Sequence, residues 1–195
     1  SELMFRRGTS AFADFREGGV KGASLMSSAR WACPCILGKP QAPAFDREEI
    51  DELLKITDGV GPSCVSDWDY EELRSLSSYV RSKGKTFALH SSERIREDLD
   101  KVLDLRPSYL IHMTQATDAD LERCAQLNVP VVVCPRSNMF FGMVPPLARM
   151  VRAGVTVALG TDNAMISMPD LFVEMEFAAR VLRQQGMGRL DCVLP

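Results

Sequence analysis

Apolar and polar positions follow one repeating pattern along the chain, in which a short apolar run gives way to a segment with apolar residues at helical spacing. We predict seven β-strands, beginning near residues 12, 32, 59, 86, 109, 130 and 155. One of them, Val131-Val132-Val133-Cys134, is uninterrupted, as in strands that are covered on both faces. Strand and helix alternate from about residue 12 to residue 185 with short connections, and this pattern predicts parallel βα units.

Helix start signals stand between these runs. A capping residue followed three positions later by an acidic residue opens a helix. Three such pairs occur: Asp46 with Glu49, Asp69 with Glu72, and Thr117 with Asp120. A further helix is predicted from four apolar residues at helical spacing, Ile95, Leu99, Val102 and Leu103. The βα repeat therefore has both its strands and its helices marked in the sequence.

Two α/β architectures fit such a repeat. A doubly wound open sheet usually carries a Gly-rich phosphate loop after an early strand, and the sequence has none. A (β/α)8 TIM barrel fits the strand count better, although one strand is lacking and the chain is shorter than the usual ~250 residues. We expect an incomplete barrel of about seven strands with the first strand missing, forming a single domain over residues 1–195.

The composition of the chain restricts the classes of partner that we expect it to bind. The chain has 46% apolar and 25% charged residues, as ordinary globular proteins do. A net charge of −3 gives no basic footprint for nucleic acid. No apolar run approaches the ~20 residues that span a bilayer, and no secretory signal opens the sequence. The six cysteines lie mostly in apolar contexts, which favours reduced thiols and a cytoplasmic location.

The candidate chemistry collects after the later strands. The only two histidines of the chain are His90, followed by Glu93 after the fourth strand, and His112 after the fifth. Asp162 follows the seventh. Barrel enzymes keep their active sites at this end of the strands. Imidazole and carboxylate suit Zn²⁺ or Fe²⁺, with Glu93 as a proton carrier and His112 polarising a carbonyl or steadying a bound water.

Each of these residues alone has a simpler interpretation. A single histidine at a strand end is more often structural, and Glu93 is compatible with the first turn of the next helix. Asp162 is compatible with a turn, as are Ser137 and Asn138. A thiolate pair at Cys33-Pro34-Cys35 is disfavoured, because a strand would place both thiols in a packed sheet. The joint occurrence at strand ends favours a site over these separate explanations.

The ordered motifs resemble the amidohydrolase superfamily, specifically its mononuclear branch of cytosine, guanine and S-adenosylhomocysteine/methylthioadenosine deaminases with chlorohydrolase relatives. The matching pieces are Gly8-Thr9-Ser10, His90-Ser91-Ser92-Glu93, His112, Cys134-Pro135-Arg136-Ser137-Asn138, Gly142 with Pro145-Pro146, and Gly160-Thr161-Asp162-Asn163. The resemblance implies a metal-dependent hydrolase that deaminates a small heterocyclic amine.

The same resemblance assigns roles to individual residues. It implies that His90 and Asp162 are metal ligands and that Asp162 is also the base that activates water. It implies that Glu93 carries protons to the substrate, that His112 contacts the substrate or the metal-bound hydroxide, and that Asn138 lies in the substrate site. Dinuclear members carry a lysine where this chain has Gly61-Pro62-Ser63-Cys64-Val65, so one metal, Zn or Fe, is expected.

One departure bears on activity. The family's first strand ends in His-x-His, and this sequence has no such pair. We therefore expect a piece truncated at both ends, with weak or no metal binding and no activity of its own. Two alternatives stay open: an inert structural or assembly domain of the same ancestry, and an enzyme for a cyclic amide or chloro-triazine. Unpaired sheet edges also predict self-association into a homo-oligomer.

Overall fold

Seven strands and nine α-helices lie in the part of the chain that this computed structural model describes, residues 2–28 and 34–188. The strands are β1 (Phe12–Arg16), β2 (Pro34–Gly38), β3 (Gly59–Val60), β4 (Thr86–Ser91), β5 (Tyr109–His112), β6 (Val131–Val133) and β7 (Val157–Leu159). The helices are α1 (Glu2–Arg6), α2 (Gly19–Ser28), α3 (Arg47–Ile56), α4 (Tyr70–Ser82), α5 (Leu99–Asp104), α6 (Asp118–Gln126), α7 (Pro135–Phe140), α8 (Leu147–Ala153) and α9 (Leu171–Gln184).

The chain divides into two compact units. The first unit comprises Ser10–Ser91 and Glu97–Tyr109, and the second comprises Ser1–Thr9, Ser92–Arg96 and Leu110–Pro195. The chain passes between them more than once, so neither unit is a continuous stretch of sequence.

In the first unit, β1 to β4 are parallel and adjacent in sequence order. Helices α3 and α4 cover this sheet with the apolar stripes that the sequence predicts. Their buried side chains include Ile50, Leu53, Leu73, Leu76 and Val80. Asp46 and Asp69 accept hydrogen bonds from backbone N–H groups in the first turns of α3 and α4, as N-cap residues do.

In the second unit, β5, β6 and β7 are parallel and again follow sequence order. Thr117 and Asp120 form a reciprocal capping box at the start of α6. Gly154 ends α8 in the left-handed conformation that glycine adopts most readily. The short connections between these elements place the residues after β5, β6 and β7 in this one unit.

The predicted strands are confirmed, and so is the α/β class with parallel strands in sequence order. One local prediction is wrong. Ile95 is not part of a helical stripe: it is 80% exposed, and the helix begins at Leu99 because Asp98 caps it. The simpler interpretation of Ser137 and Asn138 as a loop turn does not hold, because Pro135, whose fixed φ suits a first helical position, opens α7 directly after β6. Cys33 lies outside the described residues.

None of the helices within residues 2–28 and 34–188 is both long enough and apolar enough to cross a membrane. The cysteines seen in these ranges, Cys35, Cys64, Cys124 and Cys134, are free thiols.

Candidate active site

The end of β5 is where the second unit departs from ordinary strand geometry. His112 and Met113 both have positive φ angles, 74° and 51°, which non-glycine residues rarely adopt in succession. The bend leaves the His112 side chain only 3% exposed. Gln115 N–H donates to the Ser92 carbonyl at 2.7 Å, which ties the segment after β5 to the segment that carries Glu93. Backbone strain of this kind concentrates at functional sites.

The two nitrogens of the His112 ring face different partners. Nδ1 lies 3.2 Å from the Asn138 side-chain nitrogen, and Nε2 lies 3.7 Å from a Glu93 carboxylate oxygen. Burial lowers the pKa of His112, and the negative charge of Asp162 opposes that shift only in part. The ring is therefore neutral at neutral pH, and its approach to Glu93 is a contact between a polar ring and a carboxylate, not an ion pair.

Asp162 is held by the neighbouring element. Ser137, on the first turns of α7 and fully buried, donates its hydroxyl to Asp162 Oδ2 at 2.5 Å. Asp162 itself follows β7 with a φ of 57° and is exposed to solvent. A carboxylate fixed by a short hydrogen bond yet open to water is suited to accept a proton from a water molecule.

A buried ion pair lies beside α7. Arg136 Nε donates to Glu174 Oε1 at 2.7 Å, and Glu174 has no exposed side-chain surface. Burial raises the pKa of Glu174 more than Arg136 lowers it. Arg136 also donates to the carbonyl of Met168 at 2.8 Å. These contacts join α7 to α9 and to the segment before it, so they fix the helix that carries Ser137 and Asn138.

Cys134 caps the same helix at its N-terminus but is not suited to catalysis. It is almost fully buried, and burial, followed by the negative charges of Asp162, Glu174 and Glu93, raises the pKa of its thiol. A protonated thiol is a poor nucleophile and a poor metal ligand. Cys134 is therefore a buried packing residue at the start of α7.

A second ion pair anchors the segment that carries Glu93. Arg96, three residues after Glu93 in the chain, makes a bidentate contact with Asp120, at 2.7 and 2.8 Å. The hydrogen bond from Arg96 is the largest of the effects that lower the pKa of Asp120 to about 2. Because Asp120 belongs to α6, the pair anchors the segment of Glu93 to a helix of the same unit.

His90 belongs to the first unit and has a different environment. It lies near the end of β4, half-buried, with the Phe15 ring edge-on at a centroid distance of 4.7 Å. Phe15 also meets the Tyr109 ring at 6.4 Å. Gly61 makes room for the Phe15 ring, because a Cβ at position 61 would lie 2.3 Å from Phe15 Cδ1. His90 is thus packed against Phe15, an aromatic side chain of its own unit.

The second unit therefore brings three of the predicted site residues together, Glu93, His112 and Asn138, and pairs Asp162 with Ser137. The ion pairs Arg136–Glu174 and Arg96–Asp120 were not predicted. Their members are 38 and 24 positions apart in sequence, and charged residues at such spacings carry no local signal. Only the capping role of Asp120 was visible in the sequence.

A metal centre is not complete in the described part of the chain. His90 and Asp162 have donor atoms that suit Zn²⁺ or Fe²⁺, but residues 2–28 and 34–188 contain no group of three or more His, Cys, Asp or Glu side chains that could hold a metal. Catalytic zinc sites use three protein ligands and one open position. These residues on their own do not fit the expected metal.

The chain is similar in sequence to known proteins. It is 32% identical over 196 residues to an uncharacterised protein of Methanocaldococcus jannaschii, covering 89% of this chain and 51% of that protein. It is 28% identical over 224 residues to a 5-methylthioadenosine/S-adenosylhomocysteine deaminase of Halobacterium salinarum, covering 97% of this chain and 51% of that enzyme. The chain spans about half the length of the relatives it matches.

Its fold matches the crystal structure of an adenosine deaminase from Xanthomonas campestris with bound zinc. The TM-score is 0.74 at 21% identity, covering 93% of this chain and 48% of that one. The match confirms the predicted fold class. The chain is an α/β protein of the barrel type, with seven parallel strands in its described residues.

The strands and helices together define an α/β chain of the barrel type. The sequence pattern of the amidohydrolase family matches residues 3–193. The chain belongs to the amidohydrolase family.

Proposed function

We propose that the protein containing this chain hydrolyses a C–N bond and deaminates a heterocyclic amine. The observation that carries the proposal is the Glu93–His112 pair, in which a carboxylate and a buried neutral imidazole lie 3.7 Å apart after successive strands. Its relatives include proteins named as deaminases of nucleosides. Because the chain spans about half of those relatives, the reaction is proposed for the whole protein.

The reaction adds water to the ring carbon that bears the amino group and releases ammonia. In this proposal Asp162, oriented by Ser137, accepts a proton from the attacking water. That proton passes to Glu93, which delivers it to the ring nitrogen. Glu93 then takes up the proton of the added hydroxyl group and gives it to the departing amino group, so both carboxylates end ionised, as they began. His112 presents a ring nitrogen to the oxygen that becomes the product carbonyl. One water is consumed and one ammonia leaves, so atoms and charge balance.

We also propose that the whole protein binds one divalent metal, Zn or Fe, with His90 and Asp162 among its ligands. The remaining ligands would come from outside the described residues, because those residues contain no group of three. A bound metal of this kind lowers the pKa of its water to about 7. Asn138 as a substrate-binding residue, a small heterocyclic substrate and a homo-oligomeric assembly stay predictions.

A second candidate is an inert domain that keeps the amidohydrolase fold as a structural or assembly unit. The incomplete ligand set favours it. The two candidates differ in one measurable respect, because an inert domain releases no ammonia from any purine or pyrimidine and requires no metal for its stability.

The test is ammonia release by the whole protein against a panel of purine and pyrimidine amines, with cyclic amides and chloro-triazines as comparison substrates. We expect Asp162→Asn and His90→Ala to lower kcat/KM by about 10²–10⁴-fold while the circular dichroism spectrum stays unchanged. Asp118→Asn is the matched control, since Asp118 is exposed on α6 with a side-chain exposure of 76%.

Full turnover by Asp162→Asn after verified metal removal would contradict the proposed function. Release of chloride or opening of a cyclic amide, without any ammonia from amines, would move the substrate class and keep the scaffold chemistry. No turnover of any substrate by the wild-type protein would favour the inert domain.

A further inference from the structure

We infer that Asn138 is a positioning residue that holds His112 in the tautomer protonated on Nε2. Asn138 acts through His112, because its side-chain nitrogen lies 3.2 Å from His112 Nδ1 and its side chain has no exposed surface. The inference gives Asn138 a positioning role inside the second unit, in addition to the substrate-binding role that the family resemblance implies.

The chemistry of the ring sets the problem. A neutral imidazole has one nitrogen that donates a hydrogen bond and one that accepts, and the partner of either nitrogen decides which is which. His112 is neutral at neutral pH because burial lowers its pKa. An amide near Nδ1 and a carboxylate near Nε2 therefore bear on which of the two tautomers forms.

The carboxylate near Nε2 favours a proton on that nitrogen. An ionised carboxylate has only acceptor atoms, and a Glu93 oxygen lies 3.7 Å from Nε2. A proton on Nε2 directs the positive end of an N–H bond toward this oxygen. A lone pair there would instead face the negative charge, which costs energy in a buried setting of low dielectric.

The amide side of the ring agrees. With the proton on Nε2, Nδ1 is an acceptor and needs a donor, and the Asn138 NH₂ group is one. If the amide were reversed, its oxygen would require a proton on Nδ1, and the Nε2 lone pair would then face Glu93. Only one amide orientation and one tautomer satisfy both partners. In this orientation Asn138 Oδ1 accepts no hydrogen bond from any described residue.

The backbone of Asn138 keeps the amide in place. Its N–H donates to the Cys134 carbonyl at 2.9 Å, and its carbonyl accepts from Met143 N–H at 2.9 Å. Because Arg136 ties the same helix to Glu174, α7 has little freedom to withdraw the amide from the ring. A fixed amide can enforce a tautomer, whereas a mobile one would follow whichever tautomer formed.

The consequence for chemistry rests on the proposed function, but the tautomer does not. With Nε2 protonated, His112 donates a hydrogen bond toward Glu93 and the space beside it. It then acts as a hydrogen-bond donor to developing negative charge, and the role of proton acceptor falls to the carboxylates.

The test is nitrogen NMR of the 195-residue chain with ¹⁵N-labelled histidine. The chain has only two histidines, so His90→Gln leaves one imidazole and assigns the signals. At about pH 7.5, above the ordinary histidine pKa of about 6.5, we expect His112 to show a protonated Nε2 and an unprotonated Nδ1. The opposite pattern in the wild-type chain would overturn the inference without any variant.

Asn138→Asp supplies the second arm. Its carboxylate would accept a hydrogen bond, so Nδ1 of His112 should become protonated. Asn128→Asp is the matched control, since Asn128 is exposed beyond the end of α6 and should leave the His112 signals unchanged. A folded Asn138→Asp chain whose Nδ1 stays unprotonated would refute the positioning role. Neither arm measures turnover, so the proposed function can fail while this inference holds, and the reverse.

Discussion

The two histidines of the chain occupy contrasting surroundings, one in each compact unit. His112, in the second unit, sits on a left-handed bend with an amide against one ring nitrogen and a carboxylate near the other. His90, in the first unit, lies in an extended strand against the edge of the Phe15 ring. Both follow from the same βα repeat, yet different interactions restrain the two rings.

The difference separates two ways of preparing an imidazole. Polar partners on both nitrogens fix the orientation of the His112 ring and also select which nitrogen carries the proton. Aromatic packing restricts the plane of the His90 ring through contact area and quadrupole geometry, and does not itself choose a tautomer. This suits the proposed roles, a hydrogen-bond donor at His112 and a metal ligand at His90.

The largest expected effect comes from removing the aromatic support of His90. Phe15→Ala should lower the free energy of unfolding by about 3 kcal/mol, at the lower end of the range for phenylalanine truncation because Phe15 is half-buried. Urea unfolding measures the change. Phe140→Ala is the matched control: Phe140 is 68% exposed, so its loss should change stability by less than about 0.5 kcal/mol. Equal effects of the two variants would show that Phe15 does not support its unit.

A somewhat smaller effect is expected from Gly61→Ala. The added methyl group would lie 2.3 Å from Phe15 Cδ1 and 3.2 Å from Leu37 Cβ, so the ring must shift, at a cost of about 2 kcal/mol. In a Phe15→Ala background most of that cost should disappear. Gly188→Ala, which meets nothing within 4 Å, is the control. An additive double variant would mean that Gly61 and Phe15 do not compete for the same space.

The positions of the two histidines in the fold could be predicted from the sequence, because strand ends in a βα repeat follow from local patterns. The positions of His90, His112 and Asp162 at strand ends came from apolar runs alone. The two capping acids, Asp46 and Asp69, were equally local signals. These features depend on residues a few positions apart, where periodicity and capping carry the information.

The surroundings of the two rings could not be predicted in the same way. The positive φ of His112 occurs at a residue that is neither glycine nor asparagine, so no local signal in the sequence predicts it. Pro135 marked the end of a strand in the sequence. Its fixed φ fits either a loop or the first turn of a helix, so the sequence did not show that a helix begins there. The partners of Arg136 and Arg96 are distant in sequence, so long-range packing decided them. Local patterns therefore placed the site residues, and tertiary contacts gave them their chemistry.

The smallest predicted effect concerns the segment of Glu93 and depends on pH. The folded-state pKa of Asp120 is about 2, below the unfolded value of about 3.9. Its pairing with Arg96 therefore stabilises the fold above about pH 4, and this contribution is lost as pH falls toward 2. Because the Arg96 side chain is 51% exposed, solvent screening reduces the contribution to about 1–2 kcal/mol.

Asp120→Asn tests this directly by urea unfolding at several pH values. At pH 6 the variant should be less stable than the wild type by that amount, and the gap should narrow as pH falls toward 2, because the wild-type carboxylate is then protonated as well. Asp118→Asn, two residues away, should change the free energy of unfolding at pH 6 by less than about 1 kcal/mol, since its pair with Arg149 is exposed to solvent. A gap that persists at low pH would mean that the capping hydrogen bonds to Thr117, and not the charge of Arg96, account for the role of Asp120. The tie between α6 and the segment of Glu93 would then be independent of pH.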